Sequence, residues 1–383
     1  MLISKKTDRF ILATFVALLP FVSMANAVDS VHVSTEAVAK VVETKHAEKS
    51  ESADPAQEKV AEFIQHHLQD SHDFIFFSDE AEKKEYGFSL PVILYDNGLK
   101  VFSSSKLHHG ETVAEVDGNF YKLVHGKIYT TDAQGTITED EKTGHPTNVQ
   151  PLDFSITKNV VSMLFVSFLM LFLFIGLARS YKKGPIPTGA GRVLEPLIIF
   201  IREEIAIPNI GETKYRRFMG YLLTVFFFIW ILNILGLTPL GINVTGNISI
   251  TVCLALFTFV ITQFSANKDY WKHIFWMPDV PVLMKIFLIP IELLGTLTKP
   301  FALLIRLFAN ITAGHVVVMS LIGMIFVSKN LYMDVPISLG LTLFLSVIEI
   351  LIAFLQAFIF TMLTSLFIGM AVQEHDHGSE HAH

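Results

Sequence analysis

Cysteine is nearly absent from this chain of 383 residues, which has one, Cys253, inside an apolar run. A single cysteine excludes an intramolecular disulfide and any paired-cysteine metal motif. Charge is scarce as well: Asp, Glu, Lys and Arg make up 17% of the residues, against about 25% in an ordinary soluble domain. The net charge of -7 leaves no overall basic surface for nucleic acid. There is no G-x-x-x-x-G-K-[ST] run, so no phosphate-cradling nucleotide loop is expected. What the chain has in excess is apolar mass. Hydrophobic residues reach 51%, phenylalanine alone numbers 33, and the mean hydropathy is +0.48. Length alone would allow two or three soluble domains; the apolar runs make this an integral membrane protein instead.

Lys5, Lys6 and Arg9 precede an apolar stretch, Phe10 to Val22, and Ala25-Asn26-Ala27 follows as a small-x-small site. Residues 1–27 therefore read as a signal peptide cut after Ala27, the alternative being a first membrane helix that stays attached. Either way, residue 28 starts outside the cytoplasmic membrane. Residues 28–57 carry little pattern and read as a flexible linker. From 58 to 70, Val60, Phe63, Ile64, His67 and Leu68 form one helical stripe. FSLPVILYDNGLKVF places extended runs around Asp96-Asn97-Gly98, a hairpin signal, and NFYKLVHGKIYT does so around His125-Gly126. Residues 58–150 are thus expected to be a small extracytoplasmic α+β region with few core residues. His66, His67, His72, His108 and His109 fit no strong ligand spacing and read as a solvated, histidine-rich surface. Residues 371–383, which include EHDHGSEHAH, read as a disordered tail. No metal and no cofactor is expected.

The membrane domain is expected over 156–370. Val160 to Ala178 is uncharged and long enough to cross the hydrocarbon layer. Arg179, Lys182 and Lys183 follow and put that end in the cytoplasm. LEPLIIFIREEIAI then reads as an interfacial helix on the cytoplasmic side. Phe218 to Leu237 crosses outward and Ile248 to Phe264 inward, with Lys268 and Lys272 at the inner side. Two long apolar segments close the domain, Pro281 to Val327 and Ile337 to Met370, with Leu331 to Val335 in the outer turn. Apolar runs this long must tilt or kink. The fold expected is an all-α polytopic membrane protein of about five membrane segments, including a long tilted helical hairpin, plus the small α+β N-terminal region. The N-terminus would be extracytoplasmic and the C-terminus cytoplasmic.

Polar residues inside those last segments carry the chemistry. Arginine at the centre of a membrane helix costs about 2.5–3.5 kcal/mol on insertion scales, yet Arg306 stands in LLIRLFANITAGHV. Asn310 is four residues on and shares its face. His315 is nine on, half a turn away in azimuth. Glu292 is fourteen before Arg306, nearly in phase, with Pro300 between. Glu349 and Gln356 are seven apart on the last segment and share a face. Arg306 offers a permanent cation, while glutamate and histidine have pKa values that surroundings can bring near working pH. Each has a plainer reading. Arg306 could pair with Glu292 or Glu349 to hold helices together, Glu292 could pair with Lys285 or Lys299, His315 could simply pack, and Asn310 and Gln356 could be interhelical contacts. Intramembrane carboxylates are costly and tend to mark ion paths. Composition names neither the ion nor the partner.

At IRLFANITAGH the chain resembles subunit a of the F-type ATP synthase membrane sector, whose pattern reads L-R-L-F-x-N-x-x-A-G. LQAFIFTMLTSLFIG (Leu355 to Gly369) resembles that family's last helix. NILGLTP (Asn233 to Pro239) and ELLGTLTKP (Glu292 to Pro300) resemble earlier parts. The resemblance spans about 230 to 370. It implies a stator proton channel, with no nucleotide site of its own, that passes protons through two half-channels to a rotating c-ring. It implies that Arg306 faces the ring carboxylate, that Gln356 helps hold Arg306, that Asn310 lines the same surface, and that Glu292 belongs to an aqueous path. It also implies a bacterial inner membrane, the subunit b peripheral stalk, other synthase subunits and lipid as partners, and no nucleic acid. A common version of the pattern has glutamate where His315 stands and histidine where Glu349 stands. The exchange keeps one acid and one imidazole on opposite helices. A sodium-translocating version of the same subunit would share these motifs. A proton-coupled secondary transporter would show repeated helices, and none are evident.

Overall fold

The computed structural model describes residues 70–79, 84–124, 126–138, 146–238, 242–276, 281–327 and 331–373. The expected signal peptide, the linker, the stripe of residues 58–69 and the tail from 374 lie outside the described residues.

The N-terminal region is built of strands: β1 (Asp73–Asp79), β2 (Lys84–Ser89), β3 (Pro91–Tyr95), β4 (Leu99–Ser103), β5 (Ala114–Val116), β6 (Asn119–Val124), β7 (Lys127–Thr131) and β8 (Leu152–Asp153). They form a β1–β2 pair and two three-stranded sheets in the orders β4-β3-β8 and β5-β6-β7. Both hairpins expected from the sequence are present, β3 with β4 and β6 with β7. Asn97 and Gly98 take positive φ at the first turn, which asparagine tolerates and glycine has no Cβ to oppose. The strand period then sends Val92, Leu94 and Phe102 inward, against Leu107, Ala114, Tyr121 and Ile128. That core is small, as the sequence suggested.

Helix α1 (Lys158–Lys183) follows four residues after β8. The junction is polar and buried. The Asp70 carboxylate accepts from the backbone N–H groups of Ser71 and Asn159, at 3.0 and 3.2 Å, so it satisfies a donor in the first turn of α1 and faces its positive end. His72 contradicts the expected solvated surface. It is 4% exposed, and its Nε2 lies 3.1 Å from Asp153 Oδ2. An imidazole that pairs with a carboxylate can be enclosed without an orphaned charge. Burial pushes the His72 pKa down, but the Asp153 hydrogen bond and charge, with Asp70 and Asp73 beyond, outweigh it and hold the group above its ordinary value. Burial likewise pushes Asp153 up, and the His72 bond and charge bring it below the usual carboxylate value.

Among the described residues, five helices are long and apolar enough to cross a membrane. They are α1, α4 (Tyr215–Gly236), α5 (Ile248–Ser265), α7 (Val282–Val327) and α8 (Leu331–Val372). Between α1 and α4 lie α2 (Gly191–Phe200), a π-helical turn (Ile201–Ala206) and α3 (Ile207–Ile210). The stripe expected at the membrane surface is packed in protein along its second half, while Ile199 stays exposed. Ile201, Ile205 and Ala206 are fully enclosed. The wide turn frees the Ile205 carbonyl, which accepts from Ser365 of α8 at 3.1 Å and from the Asn209 amide at 2.8 Å. Helix α4 is the most enclosed of the described spans, and its Phe226 and Trp230 meet Phe354 of α8 edge-on.

A short helix, α6 (Lys268–Phe275), leads to α7. At 1.5 Å per residue, α7 and α8 are about 69 and 63 Å long, twice the hydrocarbon thickness of about 30 Å. They must run strongly tilted in a membrane. Helix α8 starts at Leu331, so Leu331 to Val335 are helical rather than part of a turn. Pro336 stands within two turns of that start and removes one backbone bond, which such a long helix tolerates.

Candidate functional site

Helices α7 and α8 lie antiparallel, and three contacts fix their register. Ser338 donates to the Leu321 carbonyl at 2.5 Å. The Asn310 amide donates to Gln356 Oε1 at 2.8 Å. Gly314 faces Glu349 so closely that a Cβ there would lie 2.7 Å from the carboxylate. The structure therefore joins Asn310 to Gln356 and brings Glu349 onto the turn that carries His315, whose side chain lies outside the described residues. The absence of a side chain at Gly314 opens the space that the Glu349 carboxylate occupies.

Arg306 stands one turn from Asn310 on an exposed face of α7. Among the described residues no carboxylate lies within ion-pair distance of it. That disposes of the plainer reading in which Glu292 or Glu349 neutralises it. Exposed residues near its level of the hairpin are apolar: Phe301 and Ile305 on α7, and Leu355 and Met362 on α8. A cation in that setting is stable in a bilayer only when something covers it. Gln356, by contrast, is 1% exposed.

Glu292 is about 21 Å along α7 from Arg306, and Gly314 about 12 Å in the other direction. The two acids thus lie on opposite sides of the arginine. The lysines near Glu292 are engaged elsewhere. Lys285 is buried with Nζ 4.3 Å from the Trp276 ring centre, and Lys299 Nζ lies 5.7 Å from that of Phe367.

Two polar groups were missed in the sequence. On the Glu292 side, a pocket between α5, α6, α7 and α8 is lined by Thr258, Thr262, Gln263, Tyr270, Thr296 and Lys299. The Tyr221 hydroxyl reaches Thr258 at 2.8 Å, and Gln263 Oε1 is buried without a protein partner among the described residues. On the Glu349 side, Thr245 donates to Asn233 at 2.9 Å, and the Asn233 amide reaches the Ala353 carbonyl at 3.5 Å. Ala353 lies between Glu349 and Gln356. Asn243 is buried close by in sequence, and its Oδ1 has no partner among the described residues. Asn233 opens the NILGLTP motif, which was the available signal. Thr258, Thr262 and Gln263 had none, since single polar residues in an apolar helix look like packing contacts.

Comparison with known proteins agrees with this architecture. Residues 160–369 match the family model for the ATP synthase A chain, and residues 63–154 match a domain of unknown function, DUF8433. The chain is 47% identical over 240 residues to ATP synthase subunit a of Chloroherpeton thalassium, covering 60% of this chain and 71% of that protein. It is 39% identical over 313 residues to ATP synthase subunit a 2 of Prosthecochloris aestuarii, covering 78% and 95%. For ATP synthase subunit a 2 of Chlorobium luteolum the identity is 44% over 325 residues, covering 76% and 94%. The chain therefore belongs to the ATP synthase A chain family and is a multi-pass subunit a of a bacterial inner-membrane F-type ATP synthase.

Proposed function

We propose that this chain is the stator proton channel of its synthase, with Arg306 as the fixed charge between two half-channels. The observation that carries the reading is an arginine with no acid partner among the described residues, exposed in the middle of an apolar helical face. A ring of c subunits carrying a membrane carboxylate is the partner that fits this face. Each carboxylate would lose its proton beside Arg306, because a nearby cation favours the ionised form, and regain one before returning to lipid, where burial favours the neutral form.

One half-channel would run from the loop side past Asn243, Thr245 and Asn233 to Glu349 and His315. The other would leave through Thr258, Thr262, Gln263 and Lys299 near Glu292. Buried amide oxygens without protein partners among the described residues at both places are the groups to which a water chain would bond. Asn310 and Gln356 would hold the wall between the paths. In this reading Arg179, Lys182 and Lys183 mark the cytoplasmic side, the region before α1 is extracytoplasmic after removal of residues 1–27, and the tail from 371 is cytoplasmic. The subunit b stalk would hold the chain against rotation. Each charge moved through 100 mV supplies about 2.3 kcal/mol.

The test is Arg306→Ala, with Arg306→Lys beside it, in the whole complex. ATP-driven proton uptake by inverted membrane vesicles in sodium-free buffer is expected to vanish in the first and nearly vanish in the second. Lysine has a different donor geometry and can lose its charge. Wild-type uptake by an assembled Arg306→Ala complex overturns the reading, and uptake that requires sodium overturns the choice of ion.

A further inference from the structure

Helix α6 carries two lysines and two rings on one outward face. At about 100° per residue, Lys268, Trp271, Lys272 and Phe275 share one side of it, and all four are exposed. Its other side is used by the protein: Ile274 is buried, and Tyr270 lines the pocket with Gln263. On the outward side the Trp271 and Phe275 rings stack, with centres 5.9 Å apart and planes 14° from parallel; Trp271 is 38% and Phe275 49% exposed. Neither lysine makes an ion pair among the described residues, and Asp269, the one acid of α6, lies off this face. The depth of the helix in a bilayer follows from hydrogen bonds at the ends of the spans. Lys214, just before α4, donates to the Val372 carbonyl at the end of α8, at 2.7 Å. Asn267, just before α6, donates to the same carbonyl through its side chain at 2.7 Å and to the Ala371 carbonyl through its N–H at 2.8 Å. Helix α5 ends at Ser265, two residues earlier. Three spans therefore begin or end at one level, and α6 starts there.

We propose that the outward face of α6 binds an anionic phospholipid, with the lipid phosphate between Lys268 and Lys272 and the Trp271–Phe275 pair at the acyl boundary. The level at which spans end is the level of the headgroups, where a charged head and an apolar body must lie side by side. A lysine meets that demand by laying its stem along apolar groups while its ammonium stays wet, and an indole favours the same layer. A helix with cations and rings exposed at this depth has the composition of an interfacial anchor. The charge selects the headgroup. A zwitterionic lipid brings its own cation to its phosphate, whereas an anionic one leaves the phosphate for the protein to neutralise. Each lysine beside an anionic surface raises occupancy about fivefold. A lipid held there would fix α6 at the boundary, and with it Tyr270 in the pocket wall. The competing occupant is an acidic segment of another subunit.

The experiment uses the whole complex in phosphatidylcholine liposomes, freed of other cysteines by changes that include Cys253→Ser. A fluorophore is attached through Phe275→Cys. Phosphatidylglycerol or phosphatidylcholine with a nitroxide near the top of one acyl chain is then added at the same mole fraction. Quenching by the anionic lipid is expected to exceed quenching by the zwitterionic one about fivefold. Lys268→Gln with Lys272→Gln should make the two equal without lowering the quenching by phosphatidylcholine. If loss of the Phe275 ring disturbs assembly, Phe264→Cys carries the label instead; Phe264 is 87% exposed at the end of α5, four residues before Lys268. Equal quenching by both lipids with the lysines in place overturns the proposal, and so does an anionic excess that survives the loss of both lysines. Quenching by neither lipid also overturns it, and would mean that another subunit, or residues outside the described ones, cover this face.

Discussion

Gly314→Ala is the smallest change that reaches the centre of the proposed loop-side path. Two terms oppose each other. In the helix interior alanine is favoured over glycine by about 1 kcal/mol, so α7 itself should gain. Against that, the new Cβ would lie 2.7 Å from Glu349 Oε1. Ordinary contact needs about 3.4 Å, so the carboxylate must retreat by roughly 0.7 Å. Glutamate is flexible, so the retreat costs little stability and the complex should assemble. Function is less forgiving. A misplacement of about 1 Å can cost up to 100-fold in a positioned reaction, and a tenfold loss corresponds to about 1.4 kcal/mol on the barrier. Proton uptake per assembled complex is therefore expected to fall about tenfold. Adding Glu349→Asp shortens the side chain by one methylene and withdraws the carboxylate from the new methyl group. Uptake in the double variant should exceed that in either single variant. Wild-type uptake in Gly314→Ala, or a double variant no better than the worse single one, would refute the idea that Glu349 works from the space glycine leaves.

The remaining predictions concern Glu292 and the junction below the strand region. Glu292→Gln keeps size and hydrogen bonding but cannot carry a proton, and no lysine pairs with Glu292 among the described residues. Proton flux should fall and its pH profile should change at constant assembly; unchanged flux with less complex would leave Glu292 as scaffolding. The His72–Asp153 contact should make the strand region sensitive to pH. His72 is raised above its ordinary 6.5, so its contribution is complete below that value and is lost as pH rises through the folded one. Asp153 is lowered from 3.8, so its contribution is present above that value and is lost as pH falls through the folded one. Asp70, pushed up chiefly by burial, works the other way and favours the fold only where it is protonated. Limited proteolysis of the reconstituted complex should cut the strand region faster at about pH 9 than at about pH 6. His72→Gln should abolish the difference; equal rates in the unmodified protein would contradict the assigned direction.

What could be read from the sequence was whatever depends on periodicity and on the cost of charge in lipid. Apolar runs long enough to cross the bilayer mark the five spans, and turn chemistry at Asp96-Asn97-Gly98 marks the hairpin. Arg306, Glu292 and Glu349 announce themselves because charge is rare where it is expensive. Those are local properties, fixed by neighbours a few residues away. The family followed from the same arginine motif. Contacts between distant segments were decided only by the tertiary structure. The Asn310–Gln356 bond joins residues 46 apart, and it depends on the register of two long helices whose apolar surfaces would allow several. The Asn233–Ala353 contact joins residues 120 apart, so the polar cluster beside Glu349 had no local signature. His72 was misread because a histidine among hydrophilic neighbours looks solvated, and only its meeting with Asp153, 81 residues on, makes burial affordable. LEPLIIFIREEIAI has the pattern of an interfacial helix, since amphipathicity says that a face is buried but not in what; at Ile201 to Ala206 α8 supplies part of the cover. Sequence marked the charged residues inside the apolar segments, because charge there is costly, and packing decided which polar groups meet across them.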